Sequence, residues 1–287
     1  MTNIVLFWSK PSGTSETVQE WADTEIELSP FHELTLASHV KFGHSAYLYT
    51  YQPIKSDIPD GIIVKDAHEI FSREAAFAAL KLGHSIAHIS DVVRLTVAAD
   101  INGVVTDMDN IVVNPLPDVD GFTSTMPAKS TGAFAIKWGN NHPPFTIHDD
   151  SWDGKALSVF PIKVNKEIIP YIEELISRIK VVLTNRPKSD TKAWNFIMWE
   201  LKEIARKEPS LKVMPIVAFG ALPAWMPSGK CYSLESPTRL TGDTDLFGYT
   251  LPSIDTIMNE TYMVQHFFES AFKAADDSGA DFWEKVP

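Results

Sequence analysis

Two aspartates, Asp107 and Asp109, stand two residues apart inside the apolar run from Val104 to Val113. In extended backbone alternate residues share a face, so the two carboxylates project together while Met108 points the other way. A buried strand carries such groups only when they are paired, protonated or bound to a metal. Two hard oxygen ligands side by side suit Mg2+ or Mn2+. A cation held there would neutralise a diphosphate and let it leave. Asp-x-Asp alone is a frequent pattern, and Asp118/Asp120 and Asp243/Asp245 repeat it. The copy at 243–245 lies among Thr, Gly and Pro residues without a strand and reads as a solvated loop.

Asp91 and Arg94 are three apart in the segment before this strand, on one face of an expected helix. Periodicity alone favours a surface ion pair there, worth about 0.2–0.5 kcal/mol. Phe7-Trp8 ends an apolar run, where aromatics usually pack into a core. The alternative is a platform on which a nucleobase stacks. Apart from His84 and His88, which stand four apart, the histidines form no His-x-x-x-His pair, and no Cys-rich cluster is present, which argues against zinc. Nucleotide-binding glycine loops and a Gly-x-Ser-x-Gly elbow are also lacking from the sequence.

The elements that must carry these residues alternate. Asn3 to Trp8 reads as a strand, Pro30 to Val40 as a helix, and Ala46 to Tyr51 as a second strand. A turn at Pro59-Asp60-Gly61 leads to a third strand, Ile62 to Val64. Helices follow over Arg73 to Leu82 and Ser85 to Asp100, with an Asn102-Gly103 turn before the Asp107 strand. Such alternation predicts an α/β domain with a mainly parallel sheet. Ligands of these sheets sit beyond the carboxyl ends of the strands, where Trp8, Asp66 and Asp107/Asp109 could share one crevice. Further on, Lys166 to Leu183 and Lys192 to Lys207 read as helices and Met214 to Phe219 as a late strand. Ile254 to Ala275 looks helical toward its end.

The composition is that of an ordinary globular protein, 287 residues with one cysteine, Cys231, so no internal disulfide can form. Neither a signal peptide nor a membrane span is expected, and the setting inferred is cytoplasmic. Net charge is −12, against indiscriminate polyanion binding by the whole surface. From Arg178 to Lys212, however, nine basic residues face four acidic ones, a local net of +5. The common meaning of such a stretch is solvated helix faces; the sharper one is a landing site for a polyanion.

The order of these motifs resembles the glycosyltransferases with a DXD sugar-binding region, the family of Golgi α-1,6-mannosyltransferases and α-1,4-galactosyltransferases. It is similar, more distantly, to the glucosyltransferase domain of large clostridial toxins. The blocks are Phe7-Trp8, Leu28 to His44, Leu48 to Pro53, Pro59 to Ile70, Ser90 to Arg94 and Asn102 to Asp109. The family usually has Gly-Gly before the DXD strand and an aromatic two residues before its first Asp; here stand Asn102-Gly103 and Val105.

The resemblance implies a GT-A fold over 1–287, with 1–115 as the nucleotide-sugar-binding core and 116–287 as acceptor-side and lid region. It implies a nucleoside diphosphate sugar, most simply a UDP-sugar, with Mn2+ or Mg2+ and retention of anomeric configuration. Carried over by position, Phe7 and Trp8 would line the nucleotide site, and Asp91 and Arg94 would hold the donor sugar and diphosphate, displacing the surface-pair reading. Asp107 would contact the ribose or a metal-bound water, and Asp109 the metal. His266 would be a further metal ligand or phosphate contact, and Ser270 a phosphate contact. Two acceptors remain open, an oligosaccharide or a hydroxymethylated base in DNA, which would have to be flipped from the duplex. The basic stretch tilts the choice narrowly to DNA. A nucleotide-sugar-binding protein without catalysis is the third class.

Overall fold

The computed structural model describes residues 1–126, 156–185, 196–219 and 259–265. The chain divides into two compact units. The first holds 1–108, 119–123 and 159–212; the second holds 109–118, 124–158 and 213–287.

The first unit is built on a sheet, opened by β1 (Asn3–Phe7), β2 (Ser45–Thr50), β3 (Ile62–Asp66) and β4 (Val104–Val105). With β5 (Asn110–Val112), β6 (Gly121–Met126), β7 (Ala156–Lys163) and β8 (Leu211–Met214), the seven-stranded order is β3-β2-β1-β4-β7-β6-β8, β5 lying outside it. The first four strands are parallel, Ile4 pairing with Ala46 on one side and Val104 on the other, and β7 joins β4 antiparallel. The α/β class and mainly parallel sheet expected from the alternation are what the structure has. Ile4, Val5 and Leu6 are fully buried, as a central strand covered on both faces requires. Edge strand β3 instead exposes Ile63 and Val64.

The helices of this unit are α1 (Val18–Asp23), α2 (Pro30–Lys41), α3 (Arg73–Lys81), α4 (Ile86–Ile101), α5 (Ile169–Asn185) and α6 (Phe196–Lys207). Their starts follow local chemistry. Ser29 and Ser85 cap α2 and α4, and His32 and His88 return a ring nitrogen to the cap residue's amide. The helix α4 ends at Asn102, whose φ of +50° is a left-handed cap that asparagine tolerates. At Gly103 a Cβ would lie 3.2 Å from Val5 Cγ2 and 3.3 Å from the Asn3 carbonyl oxygen, so glycine lets β4 close against β1. From β1 the chain steps one way to β2 and β3, then returns through α4 to β4 on the far side of β1. Right-handed crossovers therefore place α2 and α4 on opposite faces.

The second unit contains β5 and β9 (Met263–Gln265), an antiparallel pair with Ile111 opposite Val264, and the short helix α7 (Ile216–Phe219). The Tyr262 amide donates to the Ala218 carbonyl at 2.9 Å, and Tyr262 packs on Phe219.

Three expectations are corrected. The strand carrying Asp107 stops at Val105; Met108 and Asp109 form a turn, and β5 starts a new pairing. The shared-face geometry of one extended strand therefore does not apply. Met214 to Phe219 is not a strand, since Pro215 breaks the ladder and opens α7. Residues 263–265 are strand rather than helix, because β5 supplies a partner. Among the described residues no helix is long and apolar enough to cross a membrane.

One buried group makes stability depend on pH. His39 is fully buried beside His44, ring centroids 6.2 Å apart, and neither of its nitrogens has a hydrogen-bond partner among the described residues. Burial, then the nearby His44, lowers its pKa to about 3 from 6.5. Above 6.5 it is neutral whether the chain is folded or not. As pH falls toward 3 the unfolded chain takes the proton first, so stability drops, by up to about 1.4 kcal/mol per pH unit. Urea denaturation between pH 6.5 and 4.5 should show at least that slope, and His39→Leu should reduce it; an unchanged slope would refute the assignment.

Candidate functional site

Arg94 is the centre of the constellation. It lies on α4, is 3% exposed, and its guanidinium reaches three acceptors. Nη1 donates to the Thr106 carbonyl at 2.7 Å and to Asp107 Oδ1 at 2.5 Å; Nη2 reaches Asp91 Oδ1 at 3.3 Å. Phe160 covers the cation, 3.9 Å from ring centroid to guanidinium carbon. Only Nε is left without a partner among the described residues. The helical spacing that puts Asp91 and Arg94 on one face thus turns that face inward, and the pair is not a surface pair. Nothing in the sequence near Phe160 signals its part, because the contact is made across the sheet by a distant strand.

Asp107 is the outward end of this arrangement. Its side chain is 35% exposed, and one of its oxygens receives Arg94. A carboxylate keeps further lone pairs when one donor is bound. The Thr106 amide continues the pairing of β4 with β1 through the Val5 carbonyl, so Asp107 stands just past the carboxyl end of β4. Between β1 and β4 the strand order reverses, the point at which α/β sheets open a crevice. Trp8 follows the end of β1 at the same point.

Phe7 and Trp8 divide their roles. Phe7 is 6% exposed and packs edge-on against Tyr51, a core position. Trp8 is half-buried. His32 lies against its ring at 3.9 Å between centroids, and its Nε1 has no partner among the described residues. His32 went unnoticed in the sequence, although Ser29-Pro30-Phe31-His32 spells the cap that fixes it: its Nδ1 accepts from the Ser29 amide at 3.1 Å. Burial lowers the His32 pKa to about 4, so the ring is neutral at pH 7.

Asp66 lies elsewhere. Its carboxylate accepts from the His68 amide and from Arg73 Nη2, and it lines a cavity of about 340 Å³ that includes neither Trp8 nor Asp107. Asp109 belongs to the second unit, in the turn before β5. His266, Ser270, Asp243 and Asp245 lie outside the described residues. Among the described residues no group of three or more His, Cys, Asp or Glu side chains could hold a metal.

Three of the six described cations of the basic stretch are paired or buried. Arg178 pairs with Glu200 at 2.8 Å, Arg206 with Glu203 at 2.6 Å, and Lys202 is 8% exposed. Arg186, Lys188 and Lys192 lie outside the described residues.

No family model matches this chain, and no curated protein matches it. It is similar to a solved structure titled "PaToxG Glycosyltransferase", at 14% identity and a TM-score of 0.37, over 72% of this chain and 70% of that one.

Removing one partner of a buried ion pair leaves an uncompensated charge and costs about 3–5 kcal/mol. Arg94→Ala takes the cation away from Asp91 and should cost that much in urea denaturation. Asp107→Asn, at the exposed end, should cost about 1 kcal/mol or less. A larger loss at Asp107 than at Arg94 would show that Arg94 is not the hub.

Proposed function

We propose that this protein is a GT-A glycosyltransferase that moves a sugar from a nucleoside diphosphate sugar, a UDP-sugar, to an acceptor hydroxyl. The observation that supports it most is Asp107, held by the buried Arg94 at the point of the sheet where the strand order reverses. The six motif blocks lead to the same position, and they add retention of configuration to the reading.

Each residue then has a task. Trp8, backed by His32, stacks the base on its ring. Arg94, being 3% exposed, acts chiefly as a positioning residue: it fixes the Asp107 carboxylate and holds Asp91 beside it. Asp107, with its remaining lone pairs, receives the ribose or a cation-bound water. Asp109, with His266 and Ser270, completes the diphosphate end. Mg2+ or Mn2+ would be held by Asp107 and Asp109, and it would supply charge neutralisation to the departing diphosphate. That donor set suits such ions, which take one or two carboxylates and fill the remaining positions with phosphates and water. No protein nucleophile is assigned.

UDP-sugar hydrolysis followed by mass spectrometry, with and without EDTA, is the direct test. Chelation should abolish turnover, and Asp109→Asn should lower it about 100-fold or more. Undiminished hydrolysis in both would refute the cation.

For the acceptor, the hydroxymethylated base in DNA rests on the basic stretch, where three of the six described cations are ion-paired or buried. An oligosaccharide is the better-supported acceptor. Electrophoretic shift of duplex DNA should be absent even at low salt; a shift that weakens steeply as salt rises would restore the nucleic-acid reading.

A further inference from the structure

The cavity beyond the carboxyl ends of β2 and β3 has no part in the constellation around Arg94. We infer that it is a binding site for a neutral saccharide, the non-reacting end of an acceptor glycan. The role as acceptor site rests on the glycosyltransferase reading; the saccharide binding does not.

Its wall is fixed before any ligand arrives. Asp66 is held by the His68 amide at 2.9 Å and by Arg73 Nη2 at 2.6 Å. Gln19 Nε2 donates to both oxygens of Asp23 at 2.8 Å. Gln52 accepts from the Lys10 amide at 2.8 Å and donates to the Trp21 carbonyl at 3.1 Å, and the Tyr51 hydroxyl donates to the Phe71 carbonyl. Arg73 gives Asp66 a donor from Nη2 alone and its side chain is 33% exposed, so further guanidinium N–H groups remain for a ligand. Such mutual support holds polar groups in place with little entropy left to lose on binding.

The chemistry of the wall selects the ligand. Lys65 and Arg73 are balanced by Asp23 and Asp66, so a phosphate gains no net attraction and would meet two carboxylates. Planar carboxylate, amide and guanidinium groups present paired acceptors and donors, which match adjacent hydroxyls that both give and receive hydrogen bonds. Pro53 and Val64 add apolar surface for the C–H face of a sugar ring. A volume of about 340 Å³ is at the small end of ligand sites and suits one or two rings.

Position supplies the connection to transfer. The cavity opens at the same edge of the sheet as Trp8 and Asp107. The midpoint of β2–β3 lies two strand spacings, roughly 10 Å, from the midpoint of β1–β4. A hydroxyl in the cavity is too far to be the one that reacts, while a glycan of more than one ring can span the gap.

Saturation-transfer NMR and calorimetry on the full chain without donor would test this, using glucose, galactose, mannose, N-acetylglucosamine and their β-linked disaccharides. At least one should give saturation transfer. Gln19→Ala, on an exposed helix face and safe for folding, and Arg73→Lys should each weaken it about tenfold, whereas Asp107→Asn should not. No signal from any saccharide, or competition by UDP or inorganic phosphate at these residues, overturns the inference even if donor hydrolysis is observed. Saccharide binding lost in these variants, in a protein that never turns over a UDP-sugar, upholds the cavity and removes the transferase reading instead.

Discussion

The buried guanidinium of Arg94 is the constraint around which the first unit is arranged. A planar, permanently charged group cannot be taken out of water without partners, and here it has a carboxylate on its own helix, a carbonyl and a carboxylate past β4, and an aromatic face. Those contacts fix how α4 sits against the strand that follows it. They also decide that Asp107, alone of the three charged groups, remains within reach of solvent. Lysine could not replace Arg94, because a single ammonium cannot address acceptors in a fixed planar fork.

Glycine and asparagine make that arrangement possible. The left-handed Asn102 ends α4, and Gly103 removes the one side chain that would hold β4 away from β1. With the two strands in register, their carboxyl ends carry Trp8 and Asp107 on either side of the reversal in strand order. Trp8 is steadied by His32, which is itself locked by the cap of α2. Capping, turn chemistry and packing thus converge on a small number of polar groups at one edge of the sheet.

Two charged features read differently once their surroundings are known. The net +5 of Arg178 to Lys212 already sets Glu200 and Glu203 against its cations, and ion pairing within and between α5 and α6 ties Arg206 and Arg178 to those two carboxylates. Conversely, Asp91 and Arg94 looked dispensable at i, i+3 spacing, and burial makes them costly to disturb. In both cases the surroundings of the charge, rather than its sign or spacing, decide its effect.

Much of the sheet was legible because its determinants are local. Apolar runs, helical spacing and the Asn102-Gly103 turn placed β1 to β3 and α2 to α4 within a residue or two, and the start of β4 with them. The sequence by itself determined that two aspartates follow a strand in an α/β domain, and which motif order surrounds them. It could not show that the strand ends at Val105, since pairing with a neighbour ends a strand and runs of valine do not. Nor could it show 263–265 as a strand, which exists because β5 pairs with it. Only the tertiary structure decided that Arg94 faces inward, that Phe160 covers it, and that Asp66 serves a separate cavity. Each of those facts depends on residues far apart in sequence, where no local propensity acts and only packing and desolvation choose the outcome.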